Sequence, residues 1–344
     1  MKKQVYGITY LKAFLPLLVI ACHERPFGES PSMILPLVNT INWKDIIYTN
    51  ILSLAVPIFF MISFYLYLEK RKRIDYSSFQ FMRNRVLYFL GLFIIWRIIF
   101  GIFDIGQFWN PGRGGLRNIY HLIFAGGDTL LYYLEQMMYY IVFLELFYYL
   151  MERFKLKKKM WSVVGIGISV IVLLIVTYLG SETLQIEALR YFSPLGFIPY
   201  TFIAAYLHES KEENHRICIS IAGVIGVICA VAEWKLLMKD AFLMNGYSTA
   251  IPSYARVSVI FLSSVIFTVA LRVKRKPSKA IEWMSAISLY VYCIHQLVIQ
   301  IFAGAFEFPQ IQYVLVVVVT YAIGSSLQIL KQFWRGKKEK MKNG

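Results

Sequence analysis

Charge is what this chain has least of. Only 16% of its 344 residues are charged, and acids are the rarer sign, 20 Asp and Glu against 36 Lys and Arg. A soluble domain of this length covers itself with a larger charged fraction, so a water-soluble globular fold is excluded. Cysteine is scarce as well. The four thiols, Cys22, Cys218, Cys229 and Cys293, form no Cys-x-x-Cys or Cys/His spacing, which argues against a disulfide scaffold and a zinc site and leaves them as small packing residues. No metal is expected. Proline and glycine gather into no linker, and no fixed-period repeat recurs, so the chain reads as a single domain over residues 1–344.

What fills the sequence is apolar. Hydrophobic residues make up 58% of it, and the mean hydropathy is +0.56. Apolar runs of roughly 17–25 residues recur, the length that crosses a hydrocarbon core of about 30 Å. Inside such a core every backbone amide must be paired, so the runs are helices. The expected fold is an all-α polytopic membrane protein of about ten transmembrane helices, near 5–22, 47–68, 86–105, 129–150, 161–180, 189–207, 217–237, 253–271, 283–304 and 311–330. Aromatics, 17% of residues, suit belts at the two interfaces.

Ten spans make a testable count. One side, with both termini, carries 26 of the basic residues, and the opposite side seven. The positive-inside rule then puts both termini in the cytoplasm, and the expected location is the plasma membrane, multi-pass. The net charge of +16 is spent in these short blocks, so membrane lipids are the expected partner and nucleic acid is not. Met1-Lys2-Lys3 and Val19-Ile20-Ala21-Cys22 imitate removable signals, but Lys12 interrupts the apolar region, and the first span is expected to stay. The loops near 23–46, 106–128 and 238–252 are the longest on the far side, and Trp109–Gly115 is turn-rich.

Charge at bilayer depth costs at least about 2.5–3.5 kcal/mol and needs a reason. Lys12 either snorkels to the cytoplasmic face or faces a cavity. His23 ends the same span eleven residues on, about 16 Å and three turns away, so one stripe carries both. An interfacial His is the bland reading; a base near neutral pH is the chemical one. Glu24 is adjacent, and neighbours on a helix diverge by about 100°, so it is poorly placed to hold that ring. Arg71, Lys72 and Arg73 read as ordinary anchors. Arg83 and Arg85, expected where the third span opens, carry guanidinium forks suited to phosphate. Arg97, Glu135, Glu145 and Glu233 lie within spans with partners that the sequence does not name, and Glu233 and Lys235 are too close to share a face.

Four stretches in order resemble the acyltransferase-3 family of membrane acyl transferases. They are Lys12 to His23; Val56-Pro57-Ile58-Phe59-Phe60-Met61-Ile62-Ser63-Phe64-Tyr65; Arg83-Asn84-Arg85; and Ser288-Leu289-Tyr290-Val291-Tyr292-Cys293-Ile294-His295. Leu131-Tyr132-Tyr133-Leu134 resembles a degraded Trp-Tyr-Leu line. The likeness runs over essentially the whole chain, with Lys12 where Arg is usual and Phe64 where the family has Gly. It implies an O-acyltransferase moving an acyl group, usually acetyl, from cytoplasmic acetyl-CoA or another acyl-CoA to a hydroxyl of an extracytoplasmic or lipid-linked glycan. No cofactor is bound; the acyl-CoA is a co-substrate. The resemblance makes His23 the catalytic residue with Lys12 on its stripe, places Arg83 and Arg85 on the donor side, and gives His295 and Ser288 supporting positions, with Glu24 beside them. His23 then acts as general base or carries the acyl group itself. The rival is a transporter or flippase routing substrate or protons past Lys12, His23 and Arg97; it predicts inverted repeats, which the sequence does not display.

Overall fold

The structure, a computed structural model, describes residues 5–28, 43–74, 77–103, 105, 115–124, 126, 129–179, 192–210, 216–239 and 253–343. Every regular element among them is helical. Short helical turns aside, they are α1 (Tyr6–Glu24), α2 (Ala55–Arg71), α3 (Ser78–Ile102), α4 (Gly115–Phe124), α5 (Tyr132–Arg153), α6 (Lys158–Leu179), α7 (Ile198–Glu209), α8 (Arg216–Lys239), α9 (Val257–Ala270), α10 (Lys279–Phe302) and α11 (Pro309–Asn343). Among the described residues seven helices are long and apolar enough to cross a membrane: α1, α2 with the 3-10 turn Leu52–Leu54 before it, α3, α6, α8, α10 and α11. The other three expected spans fall short for different reasons. In α5, Tyr residues with Glu135 and Glu145 lower the apolarity. A 3-10 turn, Pro194–Phe197, precedes α7 and leaves it 12 residues, while α9 has 14. Short α4 is a helix that the sequence reading missed. The turn-rich stretch before it, most of the three long loops and the start of the span near 189–207 lie outside the described residues.

The chain divides into two compact units. The first joins Met1–Glu29 to Val269–Gly344, and the second is Ser30–Thr268. In the first unit α10 packs against both α1 and α11. Gly7 is what lets α1 come close to the end of α9: a Cβ there would lie 1.7 Å from the Ala270 carbonyl oxygen. Pro16 lies inside α1 between Lys12 and His23. It has no N–H for the Lys12 carbonyl, and its ring loosens the preceding turn. The Tyr321 hydroxyl of α11 donates to the Ala13 carbonyl there at 3.1 Å, and Tyr313 reaches the Leu17 carbonyl at 3.4 Å. Trp283 of α10 donates to the Ser325 hydroxyl on α11 at 3.0 Å.

The second unit has an aromatic core. Phe60 of α2 lies 4.7 Å from Tyr133 and 4.3 Å from Phe197, ring centre to ring centre. Ser63 and Tyr133 share a hydrogen bond at 2.6 Å, and the Tyr140 hydroxyl donates to the Pro194 carbonyl. Phe64, where the family has Gly, is buried 5.5 Å from the Tyr140 ring, so a side chain fills the space that a closer helix approach would remove.

Polar atoms at the ends of α2, α5, α6 and α7 are tied together. Arg71 meets Glu145 with Nε at 3.0 Å and Nη2 at 2.9 Å, and meets Glu152 with Nη1 at 3.1 Å. Tyr67 donates to Glu145 at 2.8 Å, Lys158 to Glu152 at 2.7 Å, and Tyr148 to Glu209 at 2.9 Å. The Arg71 guanidinium also covers the Tyr148 ring at 5.1 Å. Arg71 is therefore not a solvated anchor but the centre of a helix-joining network, which corrects the sequence reading. Two carboxyls in this region are held low by their partners: His208 and Tyr148, against partial burial, hold Glu209 below the usual carboxylate range. At Glu152 burial works the other way, and the hydrogen bonds from Arg71 and Lys158 overcome it and hold the group low.

Candidate functional site

His23 stands in the last turn of α1, which stops at Arg25 in a left-handed conformation, φ 49°, with the Arg25 N–H closing on the Ala21 carbonyl at 3.0 Å. Its side chain is exposed, while Lys12 on the same continuous helix is half-buried. The partner of His23 comes from the far end of the sequence: the His295 ring of α10 lies 5.6 Å from it, tilted by 38°.

His295 is only 1% exposed. Its Nδ1 lies 2.5 Å from the Tyr292 carbonyl, which can only accept, so Nδ1 carries the proton and Nε2 the lone pair. That Nε2 is buried and finds no hydrogen-bond partner among the described residues. A buried acceptor left unsatisfied costs about 1–3 kcal/mol, so Nε2 is open to a donor brought beside it. Imidazolium on His23, which donates from both nitrogens, is a suitable complement.

Glu24, expected to support the ring, faces elsewhere: its Oε2 accepts from Gln312 of α11 at 2.7 Å. This is the divergence that helix geometry demands of adjacent residues. Ser288 is buried on α10 and donates to the Ser285 carbonyl at 3.0 Å, so it serves the helix itself.

Arg83 and Arg85 do not open their helix. Ser77 caps α3, its hydroxyl accepting from the Gln80 N–H at 3.1 Å, and both arginines sit more than a turn inside. Two residues apart on a helix, they point to different sides. Arg83 is exposed; Arg85 is half-buried with its guanidinium 5.2 Å from the Phe81 ring centre, and Phe81 in turn stacks on Tyr67 at 5.0 Å.

Three of the remaining intramembrane charges now have partners. Arg97 donates to the Ile105 carbonyl at 2.9 Å, Glu135 accepts from the Gly126 N–H at 2.7 Å, and Glu233 accepts from the Ser258 N–H at 3.0 Å and from its hydroxyl. Glu233 thus caps the start of α9, where a carboxylate is favoured. Among the described residues no cluster of three or more His, Cys, Asp or Glu is placed to hold a metal ion.

Membrane-length helices and a paired-imidazole centre define the class: an integral membrane protein with groups suited to acid–base chemistry. Comparison with known families goes one step further. The family described as an acyltransferase domain matches residues 5–328, and the chain belongs to that family, acyltransferase-3. It is accordingly a membrane acyltransferase. No curated protein and no solved structure matches it.

Proposed function

We propose that the protein is an O-acyltransferase of the plasma membrane that takes an acetyl group from cytoplasmic acetyl-CoA and delivers it to a hydroxyl of an extracytoplasmic or lipid-linked glycan. The supporting observation is the His23–His295 pair, one ring exposed and the other buried with an open acceptor. In this reading His23 takes the proton from the acceptor hydroxyl as the oxygen attacks the thioester carbon. The C–S bond breaks, and the proton leaves with the thiolate of CoA. While His23 is protonated, it donates toward Nε2 of His295, which holds the ring in place. Lys12, three turns down the same helix, is assigned to positioning the anionic donor on its way to His23. Arg83 and Arg85 are assigned to the donor's phosphates, Arg83 as the exposed charge and Arg85 held in place by Phe81. The basic asymmetry of the loops supports ten spans with both termini cytoplasmic, α5, α7 and α9 completing the seven.

The test is transfer of radiolabelled acetyl from acetyl-CoA to glycan in membrane vesicles. His23→Ala is expected to cut the rate by about 10²–10⁴ with insertion intact. His295→Gln keeps a neutral polar side chain at the buried position and is expected to lower the rate less while displacing its pH profile. Undiminished transfer by inserted His23→Ala would end this reading.

A further inference from the structure

The second unit contains an apolar groove of about 440 Å³ between α5, α6 and α7. Its α6 wall runs from Trp161 to Leu173, about 18 Å of helix. That is close to one leaflet's share, about 15 Å, of a hydrocarbon core of about 30 Å. The groove's depth follows from Gly165, where a Cβ would meet the Phe202 ring at 2.6 Å, so α6 lies close over α7.

One end of the groove is basic. Arg153, Lys155, Lys157 and Lys159 are exposed in the turn between α5 and α6, at the positive end of the α6 dipole. The turn is a defined structure: the Leu156 N–H closes on the Met151 carbonyl at 2.8 Å and the Lys155 N–H on the Glu152 carbonyl at 3.3 Å. Lys155 occupies the left-handed position, φ 53°, where glycine is favoured. The chain keeps a cation there at a conformational cost of about 1 kcal/mol. The one acid in this turn, Glu152, is taken up by Arg71 and Lys158. Trp161 lines the groove three residues beyond Lys158, and its buried indole N–H finds no acceptor among the described residues.

We propose that this groove is a binding site for an anionic phospholipid. One acyl chain lies along α6, an ester or phosphate oxygen accepts from the Trp161 indole, and the phosphate sits among Lys155, Lys157 and Arg153. The charge of the turn selects the headgroup, and the length of the groove selects a lipid of the leaflet that the basic end faces. The proposal does not depend on the acyl-transfer reading, and its readout is binding.

The experiment uses the full chain in detergent, with dioleoyl phosphatidylglycerol or dioleoyl phosphatidylcholine added, lipid retention counted by native mass spectrometry and stability followed by thermal unfolding. One phosphatidylglycerol per chain is expected, with a larger thermal shift than phosphatidylcholine gives. Lys155→Gln with Lys157→Gln is expected to weaken phosphatidylglycerol by roughly 25-fold, about fivefold per charge, and leave phosphatidylcholine unchanged. Trp161→Phe keeps an aromatic ring but removes the N–H, and is expected to lower retention of phosphatidylglycerol. Val164→Trp, which crowds the groove, is expected to abolish it; should that variant unfold, the lysine and Trp161 variants carry the test. Equal retention of the two lipids by the native protein, or unchanged phosphatidylglycerol binding in the double-lysine variant, overturns the proposal.

Discussion

Replacing Arg71 by Met keeps most of the side chain's bulk and removes its charge. The native guanidinium bonds Glu145 from two nitrogens, at 3.0 and 2.9 Å, and the two side chains are only 12% and 9% exposed. Arg71→Met leaves the Glu145 carboxylate on the Tyr67 hydroxyl, at 2.8 Å, with no cation opposite it. An uncompensated charge at such depth costs about 3–5 kcal/mol, whereas an exposed pair of the same geometry is worth about 0–1 kcal/mol. Glu152 loses one partner but keeps Lys158. In the double variant Arg71→Met with Glu145→Met neither charge remains buried, and stability is expected to return to within about 2 kcal/mol of the native protein. A double-mutant cycle from unfolding in detergent, using Arg71→Met, Glu145→Met and the pair, reads the coupling directly. A loss below about 1 kcal/mol for Arg71→Met, or a double variant as unstable as the sum of the singles, would refute the account of this network.

Two further outcomes are expected. Glu152 and Glu209 are held below the ordinary carboxylate range, so their contribution to stability is complete above the unfolded value of about 4.3 and disappears as pH falls through their lower folded values. Thermal stability measured down the pH scale should hold to about 4.3 and then decline, less steeply in Glu152→Gln with Glu209→Gln; a decline already complete near pH 6 contradicts this. Gly7→Ala places a carbon 1.7 Å from the Ala270 oxygen and 2.4 Å from its carbonyl carbon, so backbone must move, and a loss of about 1–3 kcal/mol is expected in the same unfolding assay. Unchanged stability in that variant argues against the close approach of α1 to Ala270.

The membrane class was legible because hydropathy is a local property, written into each run. Partners were not, because they join helices far apart in sequence: Arg71 and Glu145 are separated by 74 residues and Glu24 and Gln312 by 288. His295 was visible through the Ser-x-x-x-Tyr-x-x-His line, but nothing in that line says that its ring meets His23. The misjudged start of α3 has a simple cause: polar residues before the apolar run continue the helix to its Ser77 cap, and periodicity of hydrophobic residues cannot detect a helix in water. Arg71 was misread for a related reason, since a basic residue after a span looks the same whether it dissolves in the interface or clamps two carboxylates.

The proline inside α1 has a consequence for how that helix is held. Lys12 and His23 share one continuous helix, but the proline between them leaves the Lys12 carbonyl without its helical donor. The brace on that turn is Tyr321, a side chain 308 residues away from the carbonyl that it grips. The turn that the proline weakens is thus tied to the last helix of the chain, and a change at Tyr321 is felt in the helix that carries Lys12 and His23.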